Sequence, residues 1–128
     1  MNIGKAASLS GLTIKTVRYY SDIGIIEPAI HSDTGYRMFS TDDVAKLQFI
    51  GKARGFNFGI EECRELLALY ENKDRPSKNV KKLTLEKIAE IDIKLNELNS
   101  LREQLGKLAY ACEGNERSHC PILDALSN

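Results

Sequence analysis

Thr13-Ile14-Lys15-Thr16-Val17-Arg18-Tyr19-Tyr20 decides the fold. Thr13 offers an N-cap hydroxyl, and the helix it starts runs from Ile14 to Asp22, ahead of Gly24. Upstream, Ile3, Ala6 and Ala7 recur at helical spacing until Ser10-Gly11 interrupts them. Two short helices joined at a glycine-containing turn form a helix-turn-helix pattern. At about 100° per residue, Ile14, Val17 and Tyr20 fall on one side of the second helix, and Lys15, Arg18 and Tyr19 on the other. The polar side therefore presents two cations and a phenol.

Reading outward, Ile25-Ile26 and Glu27-Pro28 lead into the turn-rich His31-Ser32-Asp33-Thr34-Gly35, and Tyr36-Arg37-Met38-Phe39 alternates polar with apolar side chains. This spacing predicts a small β-hairpin wing. Ser40-Thr41-Asp42-Asp43 places acids in a first helical turn, and Val44, Leu47, Ile50 and Ala53 carry that helix to Arg54-Gly55. Another helix is expected from about Gly59 to Tyr70, with Ile60, Cys63, Leu67 and Tyr70 along one stripe, so Cys63 reads as a small core hydrophobe. Residues 1–70 form the expected winged helix-turn-helix domain with its second helix pair, and the polar residues 71–75 a linker.

A single long helix is expected over 76–110, with Pro76 in its first turn, where a missing N–H costs nothing. Its apolar positions Leu83, Ile88, Ile91, Leu95, Leu98, Leu101, Leu105 and Leu108 follow mostly alternating steps of three and four, the seam of a coiled coil. At 1.5 Å per residue such a helix is about 50 Å long, too long for the small N-terminal module to cover. A second copy is the expected partner, which makes the chain a homodimer; a hairpin-packed monomer is the alternative.

Whole-chain composition is silent on DNA: the 128 residues carry 18 Lys+Arg and 18 Asp+Glu. Position says more, because residues 1–60 hold seven Lys/Arg against five Asp/Glu, leaving eleven against thirteen beyond them. No apolar run approaches the roughly 18 residues of a membrane span, and the start does not resemble a signal peptide. A cytoplasmic protein with no membrane partner is expected, and in a reducing compartment three cysteines favour free thiols or metal ligands over disulfides.

Residues 111–128 are expected to form a metal-binding loop and a short terminal helix. Cys112 and Cys120 bracket the loop, Pro121 follows, and Ile122, Leu123 and Leu126 supply an apolar face. Soft thiolates suit copper(I), silver(I), gold(I), zinc or iron–sulfur clusters. Structural zinc usually takes four ligands, whereas this loop offers two sulfurs and at most His119, so a two-coordinate monovalent ion fits better. Two thiolates with a +1 ion leave one excess negative charge, and a third thiolate would add to that burden. A Cys112–Cys120 disulfide, a cytosolic copper carrier and a thiol oxidoreductase are the competing readings; the last lacks a Cys-x-x-Cys motif.

With Gly35-Tyr36-Arg37 and the later helices, the opening stretch resembles the MerR family of winged-helix transcription regulators over essentially the entire chain. Leu83 to Ile91, Ala109-Tyr110-Ala111-Cys112 and Cys120-Pro121-Ile122 look most like its copper-efflux branch. The resemblance implies a mostly α-helical fold whose long helices form an antiparallel coiled coil in the dimer. It also implies that the second helix enters the major groove of a palindromic promoter and that the wing contacts the backbone. Lys15, Thr16, Arg18, Tyr19, Tyr36, Arg37 and Arg54 are carried over as DNA contacts, with RNA polymerase as a further partner. Ser77 stands where relatives sensing divalent ions carry a cysteine, and Glu113 follows Cys112 where zinc sensors double the cysteine. Both departures imply a monovalent effector: copper(I), with silver(I) and gold(I) as surrogates, activating copper-efflux genes through DNA distortion. A regulator of zinc or another effector is the alternative within the family.

Overall fold

The computed structural model describes residues 1–127. Its elements in chain order are α1 (Ile3–Ser10), α2 (Ile14–Asp22), β1 (Ala29–Ile30), β2 (Arg37–Met38), α3 (Thr41–Gly55), α4 (Ile60–Glu71), α5 (Ser77–Ala111) and α6 (Pro121–Ser127). They divide into two compact units, Met1–Lys81 and Lys82–Asn128.

Local capping explains where the helices of the first unit begin. Asn2 Oδ1 accepts from the Lys5 amide at 2.9 Å, and Thr13 Oγ1 accepts from the Thr16 amide at 3.1 Å. Ser40 and Asp43 satisfy each other's amides at 3.0 and 2.9 Å, a complete capping box at the start of α3. Between α1 and α2 the chain reverses at Gly11, whose φ of 75° lies in the left-handed region that a side chain would disfavour.

β1 and β2 pair antiparallel, Ala29 with Met38 and Ile30 with Arg37. His31 holds the connecting turn: its Nδ1 accepts from the amides of Asp33 and Thr34 at 3.2 and 3.3 Å. Helices α1, α2, α3 and α4 enclose one core that includes Ala6, Val17, Tyr20, Ile26, Phe39, Leu47, Ile50, Cys63 and Leu67. Cys63 is wholly buried, with its sulfur 3.9 Å from the Phe58 carbonyl oxygen.

Two residues placed on core stripes by spacing alone lie elsewhere. Ile14 is 45% exposed because it occupies the first turn of α2, before the core begins. Tyr70, near the end of α4, is largely exposed and rests its ring 5.1 Å from that of Phe49.

In the second unit, α5 continues as an uninterrupted helix through Ala111, having begun just after Pro76, whose carbonyl accepts from the Asn79 amide. Leu85, Ile88, Ile93, Leu95, Leu98, Leu101 and Leu105 are each between 47% and 62% exposed. No helix among the described residues is long and apolar enough to cross a membrane.

Candidate nucleic-acid interface and thiol site

Helix α2 places Lys15, Arg18 and Tyr19 on its exposed side, with Val17 and Tyr20 buried behind them. Because Val17 and Tyr20 lock the helix to the core, the polar face is rigidly presented rather than carried on a loop. Tyr19 is 51% exposed and Tyr36 75%, so neither ring is a core residue. Arg54, from the end of α3, shares a shallow groove with Lys15, Thr16 and Tyr19 of α2. Its guanidinium donates to the Phe58 carbonyl at 3.1 Å, which anchors one edge of the charged head while the residue stays exposed.

A second groove, of about 560 Å³, runs between the start of α1, Arg18 of α2 and the wing residues Gly35, Tyr36 and Arg37. The seven candidate residues thus occupy two grooves that share α2. Besides Arg54, Thr16 and Arg37 also carry internal bonds. The Thr16 hydroxyl accepts from Thr13 Oγ1 at 2.8 Å and so belongs partly to the helix cap. Arg37 pairs with Asp22 at 2.5 Å and donates to the Arg18 carbonyl at 3.4 Å. It therefore ties strand β2 to helix α2, with part of its charge already answered. Such a half-exposed pair contributes about 0.2–1 kcal/mol. Local spacing does not mark Asp22 as the partner of Arg37, because the two lie fifteen positions apart.

The second site lies in the second unit. Cys112 follows the last residue of α5, and its amide reaches the Leu108 carbonyl at 3.2 Å; Cys120 precedes α6, and its carbonyl accepts from the Asp124 amide at 3.0 Å. The helix ends thus hold the two cysteines, while residues 113–119 between them are all exposed and turn at Gly114, φ 65°.

The sulfurs of Cys112 and Cys120 are 4.0 Å apart, and both thiols are free and partly buried. A disulfide would bring them to about 2.05 Å. The observed gap leaves roughly 2 Å per sulfur, close to metal–thiolate lengths of about 2.3 Å, so the pair fits one soft ion held between the sulfurs.

The backbone amides of Leu123 and Ile122 donate to the Cys120 sulfur and lower its pKa from the usual thiol value, with help from Cys112. Burial and the Asp124 carboxylate push the other way but do not prevail. A thiolate is the form that ligates metal. His119 is mostly exposed, and its Nδ1 lies 3.9 Å from Asp124 Oδ2. Among the described residues no group of three or more His, Cys, Asp or Glu side chains could hold a metal ion. Ser77, the first residue of α5, is exposed.

Residues 1–69 match the description "MerR HTH family regulatory protein", and residues 44–108 match "MerR, DNA binding". The chain belongs to the MerR family. This family consists of transcription regulators, not enzymes, which sets aside the thiol oxidoreductase reading. The HTH-type transcriptional regulator HmrR of Rhizobium leguminosarum bv. viciae is 52% identical over 128 residues, covering 100% of this chain and 98% of that protein. The HTH-type transcriptional regulator CueR of Salmonella typhimurium is 42% identical over 127 residues, covering 99% and 92%. Among solved structures, the transcription regulator PbrR691 of Ralstonia metallidurans in complex with lead(II) superposes with a TM-score of 0.84 at 27% identity, covering 98% of each chain. The matched stretches of the MerR family cover α2 with the wing and most of α5.

Proposed function

We propose that this MerR-family protein is a copper(I)-responsive activator that works as a homodimer on promoter DNA, alongside RNA polymerase, in the cytoplasm. The observation that carries this reading is the Cys112–Cys120 pair, two free thiols 4.0 Å apart. Two sulfur donors suit a soft monovalent ion, and silver(I) and gold(I) share that chemistry. The similar structure of PbrR691 was solved with lead(II), so lead(II) is a necessary control.

Three sets of residues divide the work. Lys15, Arg18 and Arg54 face phosphate, Thr16, Tyr19 and Tyr36 offer hydroxyls, and Arg37 braces the wing against α2. Each neutralised phosphate releases counterions, so binding weakens steeply with salt. The apolar seam of α5 pairs with that of a second copy in an antiparallel coiled coil. Cys112 and Cys120 would hold the ion, and Ser77 at the start of the partner's α5 would add a neutral hydroxyl rather than a third anion. That choice disfavours divalent ions.

Activation requires the dimer to bend and untwist its promoter, at a cost on the order of 1–6 kcal/mol. Effector binding offsets this cost only if the thiol site has higher affinity in the DNA-distorting state. Distorted promoter DNA must then tighten effector binding by the same factor, about 5- to 150-fold for typical couplings.

Run-off transcription with copper(I), silver(I), zinc(II), mercury(II) and lead(II) tests the reading. Copper(I) and silver(I) should activate, and Cys112→Ser with Cys120→Ser should abolish the response while DNA binding persists. Activation by a divalent ion alone, or by copper(I) in the double variant, would refute it.

A further inference from the structure

The geometry points to a second use of the same thiol pair: Cys112 and Cys120 form a reversible intramolecular disulfide with small-molecule disulfides, and the oxidised chain cannot take up the effector. This rests on the reading of the pair as the effector site.

Four observations carry it. Both sulfurs are free and partly accessible, and they are 4.0 Å apart, so bond formation asks for an approach of about 2 Å. All seven intervening residues are exposed. The loop's own hydrogen bonds are few and local: Asn115 Nδ2 to Glu113 at 2.9 Å, and the Arg117 amide to Asn115 Oδ1 at 2.9 Å. The remaining thiol, Cys63, is wholly buried in the core of the first unit and cannot compete for the oxidant. Little packing therefore opposes closure, and the pair is the reactive one.

The exchange needs a low-molecular-weight disulfide as oxidant. One cysteine sulfur, after losing its proton, attacks a sulfur of that disulfide; the oxidant's S–S bond breaks and the first small thiolate leaves. The second cysteine, also deprotonated, then attacks the protein sulfur of the mixed disulfide, and a second small thiolate departs. Two electrons pass from the cysteine pair to the oxidant, and the two released protons end on the two small thiols. The product has no thiolate left for a soft cation. An exposed, loosely held disulfide of this kind is reducible, which makes the step a gate rather than damage.

The test treats the full-length reduced protein with oxidised glutathione and follows intact mass, with silver(I) as the effector probe. The expected product has lost two hydrogens per chain, with the bond mapped to Cys112–Cys120 and Cys63 unmodified. Silver binding should fall from one ion per thiol pair to none and return after treatment with a reductant. Cys112→Ser and Cys120→Ser should each stop at the mixed disulfide, and prior loading with silver should block the reaction.

Arrest of the unaltered protein at the mixed disulfide, no reaction under excess oxidant, or unchanged silver uptake by the oxidised chain would each overturn the proposal. Failure of the reduced protein to bind silver would instead overturn the effector-site reading, while the mass shift still reports on the disulfide.

Discussion

The first unit and helix α5 treat their large apolar side chains in opposite ways. Val17, Ile26, Phe39, Leu47 and Ile50 of the first unit are at most 2% exposed, whereas Leu95, Leu98, Leu101 and Leu105 of α5 are 52–62% exposed in the single chain. One region has enough elements to bury its own core. The other is a long amphipathic helix whose apolar seam is largely exposed in the single chain, and helical stability in proteins comes mostly from packing such a face. The contrast fits the proposed division, in which the first unit carries its own core and α5 meets a second copy.

The sharpest way to break that contrast is Leu98→Asp, in the middle of the seam. If the seam is the dimer contact, each copy loses about 1.5–3 kcal/mol of burial and also gains a desolvated charge. Sedimentation equilibrium should show monomers at concentrations where the unaltered protein is dimeric, with promoter binding weakened in parallel and the melting of the first unit unchanged. A dimer that survives Leu98→Asp would remove the seam from the interface.

Leu47→Ala probes the other side. Leu47 is fully buried in α3, and truncating such a leucine costs about 2–5 kcal/mol. Thermal unfolding of the first unit should shift down strongly, while self-association measured below the new transition should hold. Loss of both together would mean that the two regions are not energetically separable.

A smaller effect is expected from Ser40→Ala, which removes one half of the α3 capping box and should cost about 1 kcal/mol. Chemical denaturation should register it as a lower midpoint with an unchanged slope. A change in slope would point to an altered unfolded or native state rather than a lost cap.

What was legible in the sequence tracks the range over which each interaction acts. The caps at Thr13 and Ser40 join residues three apart, so the starts of α2 and α3 could be read locally. Two cysteines eight positions apart, between the end of one helix and a proline opening another, likewise announced a paired thiol site. The bonds that brace the first unit were not readable. Arg37 reaches Asp22 across 15 positions, and Arg64 of α4 donates to the Ile23 carbonyl across 41. Nothing in local spacing marks such partners. Periodicity also overreached at Tyr70, because a helical stripe continues past the point where there is a core to meet it.

Those long-range braces suggest the mildest probe of the first unit. Lys46 of α3 lies 3.1 Å from Glu71 at the end of α4 and 3.5 Å from Asp42. Its pKa is raised above 10.5, chiefly by the hydrogen bond to Glu71, with the charges of Glu71 and Asp42 adding to it against desolvation. A raised pKa means that the folded state binds the proton more tightly than the unfolded chain does. The resulting stability is fully present below the unfolded value of 10.5 and is lost as pH climbs through the higher folded value. Lys46 is one-third exposed, so solvent screening keeps the contribution to about 0.2–1 kcal/mol. Glu71→Gln should therefore lower the denaturation midpoint of the first unit slightly at neutral pH, and the gap from the unaltered protein should shrink above pH 10.5. Dimer mass should be unaffected throughout, because the pair joins α3 to α4 and leaves the seam of α5 untouched. A gap that persists at high pH would assign the effect to packing by Glu71 rather than to its charge.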